Sequence, residues 1–319
     1  MRLKHLTSVP GGYATEMSFA PDGETWACAR AGQIQLWDDA RLSREIQTPC
    51  PTTGPVRFAN DGELLLAGPF LVSVKEGRLE PLPSLWDRLG FGINAGPLGP
   101  AQMIPQKAVF TPNAAALLVY GRYQPGHDRD GATYRGPQER LVLLEGLTRE
   151  PISVLWEGDG MINCRVLDAT ERHLAAAGMG ARLWSLTPVQ LLAEYPARRV
   201  QINALRFSDD GQLLACGDAA GHMVVREVSD GNGREWPADP AGVSSLCFFP
   251  DGTRVVSGGM GGALTVWTNQ DEPRSLYVHR FPAPVESVAL SPAADRLLVA
   301  LGGRLQSIEL YAVEDHGDT

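Results

Sequence analysis

A five-residue phrase recurs along this chain: an aromatic, a small residue, then Pro, Asn or Asp, then Asp-Gly. It reads Phe19-Ala20-Pro21-Asp22-Gly23, Phe58-Ala59-Asn60-Asp61-Gly62, Phe207-Ser208-Asp209-Asp210-Gly211 and, with a second Phe at the small position, Phe248-Phe249-Pro250-Asp251-Gly252. Less complete copies begin at Phe110, Leu167 and Leu290. The chemistry is that of a tight turn. Pro presets φ, the Asp carboxylate accepts nearby backbone N–H groups, and Gly enters the positive-φ region without steric cost. An alternating segment leads into the turn, as in Ile202-Asn203-Ala204-Leu205-Arg206-Phe207, and period-two alternation marks a strand with two unlike faces. A more apolar segment follows, as in Leu213–Cys216 or Leu297–Ala300. Then come a Gly-rich turn such as Gly258–Gly262, a third strand such as Ala263–Trp267 and a less regular fourth such as Arg274–Val278.

Seven copies of a unit near 40 residues, each of four antiparallel strands, predict blades stacked around an axis, because a lone blade cannot bury both its faces. The expected fold class is all-β: a seven-bladed β-propeller of four-stranded antiparallel blades, filling residues 1–319 as a single domain. The last unit supplies three strands, near 286–290, 296–301 and 304–311, while an alternating segment, Arg2–Leu6, precedes the first unit. The economical arrangement closes the ring by pairing this N-terminal strand in the last blade, which leaves no open edge between blades.

Composition bounds the partners. A formal charge of −9 lacks the basic footprint of a nucleic-acid binder. No apolar run reaches the length of a membrane span or a signal peptide. The five cysteines (Cys28, Cys50, Cys164, Cys216, Cys247) are odd in number and form no CxxC, and four fall in predicted strands. They read as small core hydrophobes in a reducing compartment. A cytoplasmic monomer with no nucleic-acid or membrane partner is expected.

The third strands carry a further signature. Gly32-Gln33-Ile34-Gln35-Leu36-Trp37-Asp38 ends in Trp-Asp, Ala181–Ser185 and Ala263–Thr268 keep the Trp as Trp184 and Trp267, and Arg226 and Tyr311 stand at the same place in two other units. On these residues the whole chain resembles the WD-repeat β-propeller family. That family often carries an Asp in the turn before the third strand, bonded to an upstream Gly-His histidine. Here the turn holds Ala31, Ala220 and Gly261, and Gly221-His222 falls in a different turn. Packing of Val, Leu and Ala, rather than buried side-chain networks, is expected to hold the blades together. The resemblance implies a non-catalytic scaffold that binds another protein or peptide.

The period breaks twice. Successive phrases lie 39 residues apart from Phe19 to Phe58, and 40, 41 and 42 apart from Leu167 through Phe207 and Phe248 to Leu290. Phe58 to Phe110 is 52 and Phe110 to Leu167 is 57. Against a unit of about 40, the excesses are roughly 12 and 17 residues. The first insertion spans 86–105, between blades two and three; the second spans 122–138, between the second and third strands of blade three. Antiparallel strand direction sends both to one face of the disc. Long loops inside a compact domain are commonly functional, and Trp, Tyr and Arg are enriched at interaction hot spots. The residues expected to bind a partner are Trp86, Arg88, Phe91, Tyr123, His127, Arg129, Tyr134 and Arg135.

Motifs of chemistry are missing. No HExxH, GxSxG, Walker-type or paired-Cys zinc spacing occurs. Asp128-Arg129-Asp130-Gly131 has part of a calcium-loop pattern without its third early ligand or distal Glu. No catalytic, metal or cofactor residue is therefore expected. The alternative reading is a lactonase- or hydrolase-like propeller working through its axial channel, which requires acidic and basic side chains converging at the mouth.

Overall fold

The computed structural model describes residues 1–10, 17–30, 32–48, 56–59, 61–67, 70–81, 103–110, 116–123, 139–145, 151–158, 162, 164–167, 172–195 and 200–314. Among them there are only strands, twenty-eight in all, in seven four-stranded antiparallel sheets. The N-terminal strand is β1 (Arg2–Pro10). The first consecutive sheet is β2 (Met17–Phe19), β3 (Thr25–Arg30), β4 (Gln33–Asp38) and β5 (Arg41–Gln47). The second is β6 (Val56–Phe58), β7 (Leu64–Ala67), β8 (Phe70–Ser73) and β9 (Leu79–Pro81). The third is β10 (Met103–Phe110), β11 (Ala116–Tyr123), β12 (Glu139–Glu145) and β13 (Pro151–Gly158). The fourth is β14 (Cys164–Leu167), β15 (His173–Ala177), β16 (Ala181–Leu186) and β17 (Val189–Tyr195). The fifth is β18 (Ile202–Phe207), β19 (Leu213–Asp218), β20 (His222–Glu227) and β21 (Gly233–Pro237). The sixth is β22 (Val243–Phe248), β23 (Arg254–Gly259), β24 (Ala263–Thr268) and β25 (Ser275–Arg280). The seventh holds β26 (Val285–Leu290), β27 (Arg296–Leu301) and β28 (Ser307–Glu314), with β1 as its fourth strand.

The recurring phrase forms the turn between the first and second strands of a sheet. Gly23, Gly62, Gly211 and Gly252 all take positive φ, between 67° and 73°. Each donates its N–H to the carbonyl three residues earlier, at 2.9–3.0 Å. The preceding Asp caps the turn: Asp22, Asp61, Asp210 and Asp251 accept the amide two residues on, at 2.9–3.0 Å. In the seventh sheet Ala294 fills the glycine position at φ 55° and makes the same bond to Ser291.

Four of the second strands are buried on both faces. β15, β19, β23 and β27 are almost wholly inaccessible, whereas the fourth strands β5, β17 and β25 are largely exposed. Strands covered on both faces read as continuous apolar runs, which is why Leu297-Leu298-Val299-Ala300 loses the alternation of its neighbours. Small residues let the sheets approach. A Cβ on Gly217 would lie 2.4 Å from Val243 of the next sheet, and one on Gly258 would lie 2.5 Å from Val285 of the sheet after it. Six apolar clusters follow, each spanning two neighbouring sheets. One joins Trp26 and Trp37 to Leu298 and Leu310, and another joins Leu141 and Leu143 to Leu174 and Trp184.

β1 occupies the outer position of the seventh sheet over its full length, from Arg2↔Glu314 to Pro10↔Ser307. A clasp secures it: Glu309 accepts from His5 Nε2 at 2.8 Å and from Ser8, while its second oxygen accepts from Ser307 at 2.6 Å. The pairing also repeats a local irregularity. Opposite the aromatic of the third strand, at Trp37, Trp184, Trp267 and Tyr311, the outer strand carries one extra residue (Ser43, Leu192, Leu276 and Leu6). The fifth sheet has Arg226 at that place, and its outer strand pairs without a bulge. The third sheet carries the same extra residue, Ile152, opposite Leu144, so the bulge belongs to the outer edge of the repeat and follows neither the ring nor the local chain connection, since β1 comes from the other end of the chain.

Packing dominates, but buried polar side chains remain among the described residues, Gln35, Ser208, Ser257 and Ser291 among them. Trp267 Nε1–H donates to Ser257 Oγ at 2.9 Å. By strand register Cys28 holds the Ser257 position in the first sheet, opposite Gln35 as Ser257 is opposite Thr265, and Trp37 Nε1 has no hydrogen-bond partner among the described residues. The described cysteines form no disulfide, and Cys28, Cys216 and Cys247 are buried. Burial pushes the Cys216 and Cys247 thiols up to about 12. No helix among the described residues is long and apolar enough to cross a membrane.

Candidate functional site

Of the residues expected to bind a partner, Trp86, Arg88, Phe91, His127, Arg129, Tyr134 and Arg135 lie outside the described residues. Tyr123 is the last residue of β11, where its backbone pairs with Met103 at the start of β10. Arg122 pairs with Glu139 at the start of β12. The chain leaves for the first insertion after β9 and re-enters at β10; it leaves for the second after β11 and re-enters at β12. Met103, Tyr123 and Glu139 thus sit on three adjacent strands at one end of the third sheet.

The described residues build a second feature where the first strands converge. The first strands of six sheets, β2, β6, β14, β18, β22 and β26, line one cavity of about 360 Å³. Its wall is mixed, with apolar surface from Phe19, Phe58, Phe207, Phe248, Met17 and Leu290 and at least as much polar surface. Its polar groups lie at the phrase end of the strands: Arg57, Arg206 and Asp209, with Ser18, Ser208 and Ser291. This end carries the turns between first and second strands, so it is opposite to the end from which the two insertions emerge.

Arg206 reaches across to the next sheet, where Nε donates to the Leu246 carbonyl at 3.2 Å. Asp209 is the one acid at the third position of the described phrases, where Pro21, Pro250 and Pro292 stand elsewhere. Its carboxylate remains accessible to water on one side. Protein atoms crowding the other side raise its pKa, the Asp210 charge adds to the rise, and Arg206 opposes it. Asp210 is held low instead, first by the Ser208 hydroxyl at 2.6 Å and then by the Gln212 amide. Cys247 also faces the cavity as a protonated thiol. Among the described residues no group of three His, Cys, Asp or Glu could hold a metal.

The insertions were legible because they break a period. The cavity residues were not singled out, although a signal existed. The residue before the phrase's first position reads Ser18, Arg57, Val109, Val166, Arg206, Cys247 and Ala289 in the seven copies. Two arginines stand in a series otherwise small or apolar.

The WD domain, G-beta repeat model (WD40) matches residues 189–225 and 233–268. The matched segments run from β17 into β20 and from β21 through β24. Each therefore takes the outer strand of one sheet with strands of the next. Apoptotic protease-activating factor 1 of Rattus norvegicus is 23% identical over 333 residues, covering 82% of this chain and 26% of that protein. Protein groucho of Drosophila melanogaster is 25% identical over 245 residues, covering 71% of this chain and 31% of its own length. Telomerase protein component 1 of Rattus norvegicus is 30% identical over 114 residues, which cover 35% of this chain and 4% of that protein. The chain thus spans under a third of the length of each of these relatives. Residues 189–225 and 233–268 thus carry WD repeats, within a set of four-stranded sheets whose register puts Trp37, Trp184 and Trp267 at one equivalent place.

Proposed function

We propose that the chain is a non-catalytic interaction scaffold, a single closed seven-bladed propeller that binds another protein or peptide through its two insertions. The observation that carries the binding face is the adjacency of Met103, Tyr123 and Glu139 on neighbouring strands. Strands lie about 4.8 Å apart, so the stems of both loops rise within about 10 Å of one another. Loops rooted that closely form one surface, and Trp86, Arg88, Phe91, Tyr123, His127, Arg129, Tyr134 and Arg135 supply its anchors and bidentate donors. The offset between sequence repeat and sheet supports closure. A unit that begins on an outer strand gives that strand to the preceding sheet, and β1, which begins the first unit, is found in the seventh.

The test is a comparative capture. Wild-type protein and a variant with residues 88–104 and 123–137 shortened are used as bait in the same extract, with bound proteins quantified. The expected result is a defined set recovered by wild type and lost by the variant, whose far-ultraviolet spectrum still reports intact sheets. Equal recovery of every protein by both baits sinks the reading.

A further inference from the structure

The cavity is a site of its own, at the opposite end of the sheets from the insertions. Its position makes its charge unusual. The chain carries a formal charge of −9, yet the charged residues among the described lining are two arginines and one aspartate, Arg57, Arg206 and Asp209. Arg206 spends one N–H on the Leu246 carbonyl, and a guanidinium presents five donors in a fixed fork. Arg206 and Arg57 both line the cavity, together with the partly exposed Phe58 and edges of Phe19, Phe207 and Phe248. A cavity of about 360 Å³ is at the small end of ligand pockets, and its lining combines apolar surface with an unusually large polar share that includes both guanidinium groups.

We propose that this cavity binds a small organic anion, its carboxylate or phosphate held by Arg206 and Arg57 and its apolar body packed among the phenylalanines. The fork of Arg206 accepts either headgroup bidentately, so the shared chemistry is an oxyanion on a compact apolar skeleton. Asp209 works against such a ligand, because it places a negative charge at the same mouth, and its removal tightens binding. This sign separates a binding role from a structural one. A residue that only steadies the turn would weaken the site when replaced.

The probes are benzoate and phenylphosphate, with phenol as the neutral isostere, titrated calorimetrically into the full chain at low ionic strength. Saturable binding of at least one of the two anions and none of phenol is expected. Arg206→Gln weakens binding about tenfold or more, the loss of a charge-assisted bidentate contact. Arg57→Gln acts in the same direction, and Asp209→Asn strengthens binding several-fold. Circular dichroism confirms that each variant is folded, and Asp209→Asn keeps the test decisive should an arginine variant fail to fold. A preference for benzoate or for phenylphosphate assigns the headgroup. No saturable binding of either anion up to about 10 mM overturns the proposal, as does phenol binding equally well or an affinity unchanged in all folded variants.

Discussion

Replacing Ser257 by Ala removes the acceptor for the Trp267 indole N–H, a bond of 2.9 Å in a residue only 4% exposed. A hydrogen bond of this kind contributes about 0.5–1.5 kcal/mol net, and a buried donor left without a partner costs about 1–3 kcal/mol. Trp267 is only partly buried, so water recovers some of that cost, and the expected loss is about 1–2 kcal/mol. Total destabilisation alone does not isolate the bond, because Ala also loses packing. A double-mutant cycle does. With Trp267→Phe as the second change, the coupling between the two positions is expected near 1 kcal/mol. The first sheet supplies the control, since Cys28 stands at the Ser257 position and Trp37 Nε1 has no partner among the described residues. Cys28→Ala and Trp37→Phe are expected to couple only through packing, well below 1 kcal/mol. Cys28→Ser should then create the missing bond, and its effect should be more favourable with Trp37 intact than in the Trp37→Phe background by about 1 kcal/mol. Urea unfolding followed by far-ultraviolet circular dichroism measures each variant without using tryptophan as the reporter. Equal coupling in the two sheets, or none at Ser257 and Trp267, refutes the assignment.

Two further outcomes follow from the phrase turns. Ala294 sits at φ 55°, where a non-Gly residue bears roughly 1–2 kcal/mol of steric cost. Ala294→Gly trades that for about 0.5–1 kcal/mol of chain entropy, so a higher urea midpoint is expected, while Ala293→Gly, at a position without positive φ, lowers it; a lower midpoint for Ala294→Gly contradicts the strain. For Asp22 and Asp251, burial pushes the carboxyl up but hydrogen bonds from Thr25, Glu24 and Thr253 outweigh it, and Ser208 and Gln212 hold Asp210 low. A folded pKa below the unfolded value of about 3.9 means that the stability these groups contribute is complete above about pH 4 and is lost as pH falls through the lowered values. Asp251→Asn, which keeps an acceptor for the Thr253 amide, is expected to lose less stability between pH 5 and pH 2 than wild type, and parallel curves would count against the turn carboxylates as acid sensors.

The fold was legible because the phrase states its own geometry. Asp-Gly after Pro or Asn has few alternatives to the turn seen at Gly23 and Gly252, and a turn recurring every 40 residues leaves little choice of strand order. Boundaries were less legible. The third strand of the seventh sheet begins at Ser307, not near 304, and β1 extends to Pro10, beyond the alternating Arg2–Leu6. An edge strand is bounded by its partner's hydrogen bonds, which the strand's own pattern does not carry. The outer-strand bulges escaped sequence reading for the same reason. Leu192 and Leu276 look like ordinary apolar strand residues, and only the pairing register with the third strand reveals them as extra.

The cavity arginines show a different limit, and it bears on how such repeats acquire function. A repeat is recognised by what its copies share, and what they share is what folds the sheet: the turn, the apolar second strand, the ring of the third. Ligand contacts at an axis come from the positions where copies differ, because one small ligand meets each strand from a different side. Arg57 and Arg206 occupy equivalent places in β6 and β18, which are not neighbouring sheets, yet both reach one cavity. Their separation in sequence is 149 residues, and nothing in either strand's own pattern announces the other. Aligning the copies and reading down the column before the aromatic brings them together, since the column otherwise holds Ser, Val, Cys and Ala. Two such charges, repeated at a place where the first strands of six sheets line one cavity, are a stronger pointer to a ligand than any single arginine, and they direct the search for this chain's chemistry to that cavity as well as to its inserted loops.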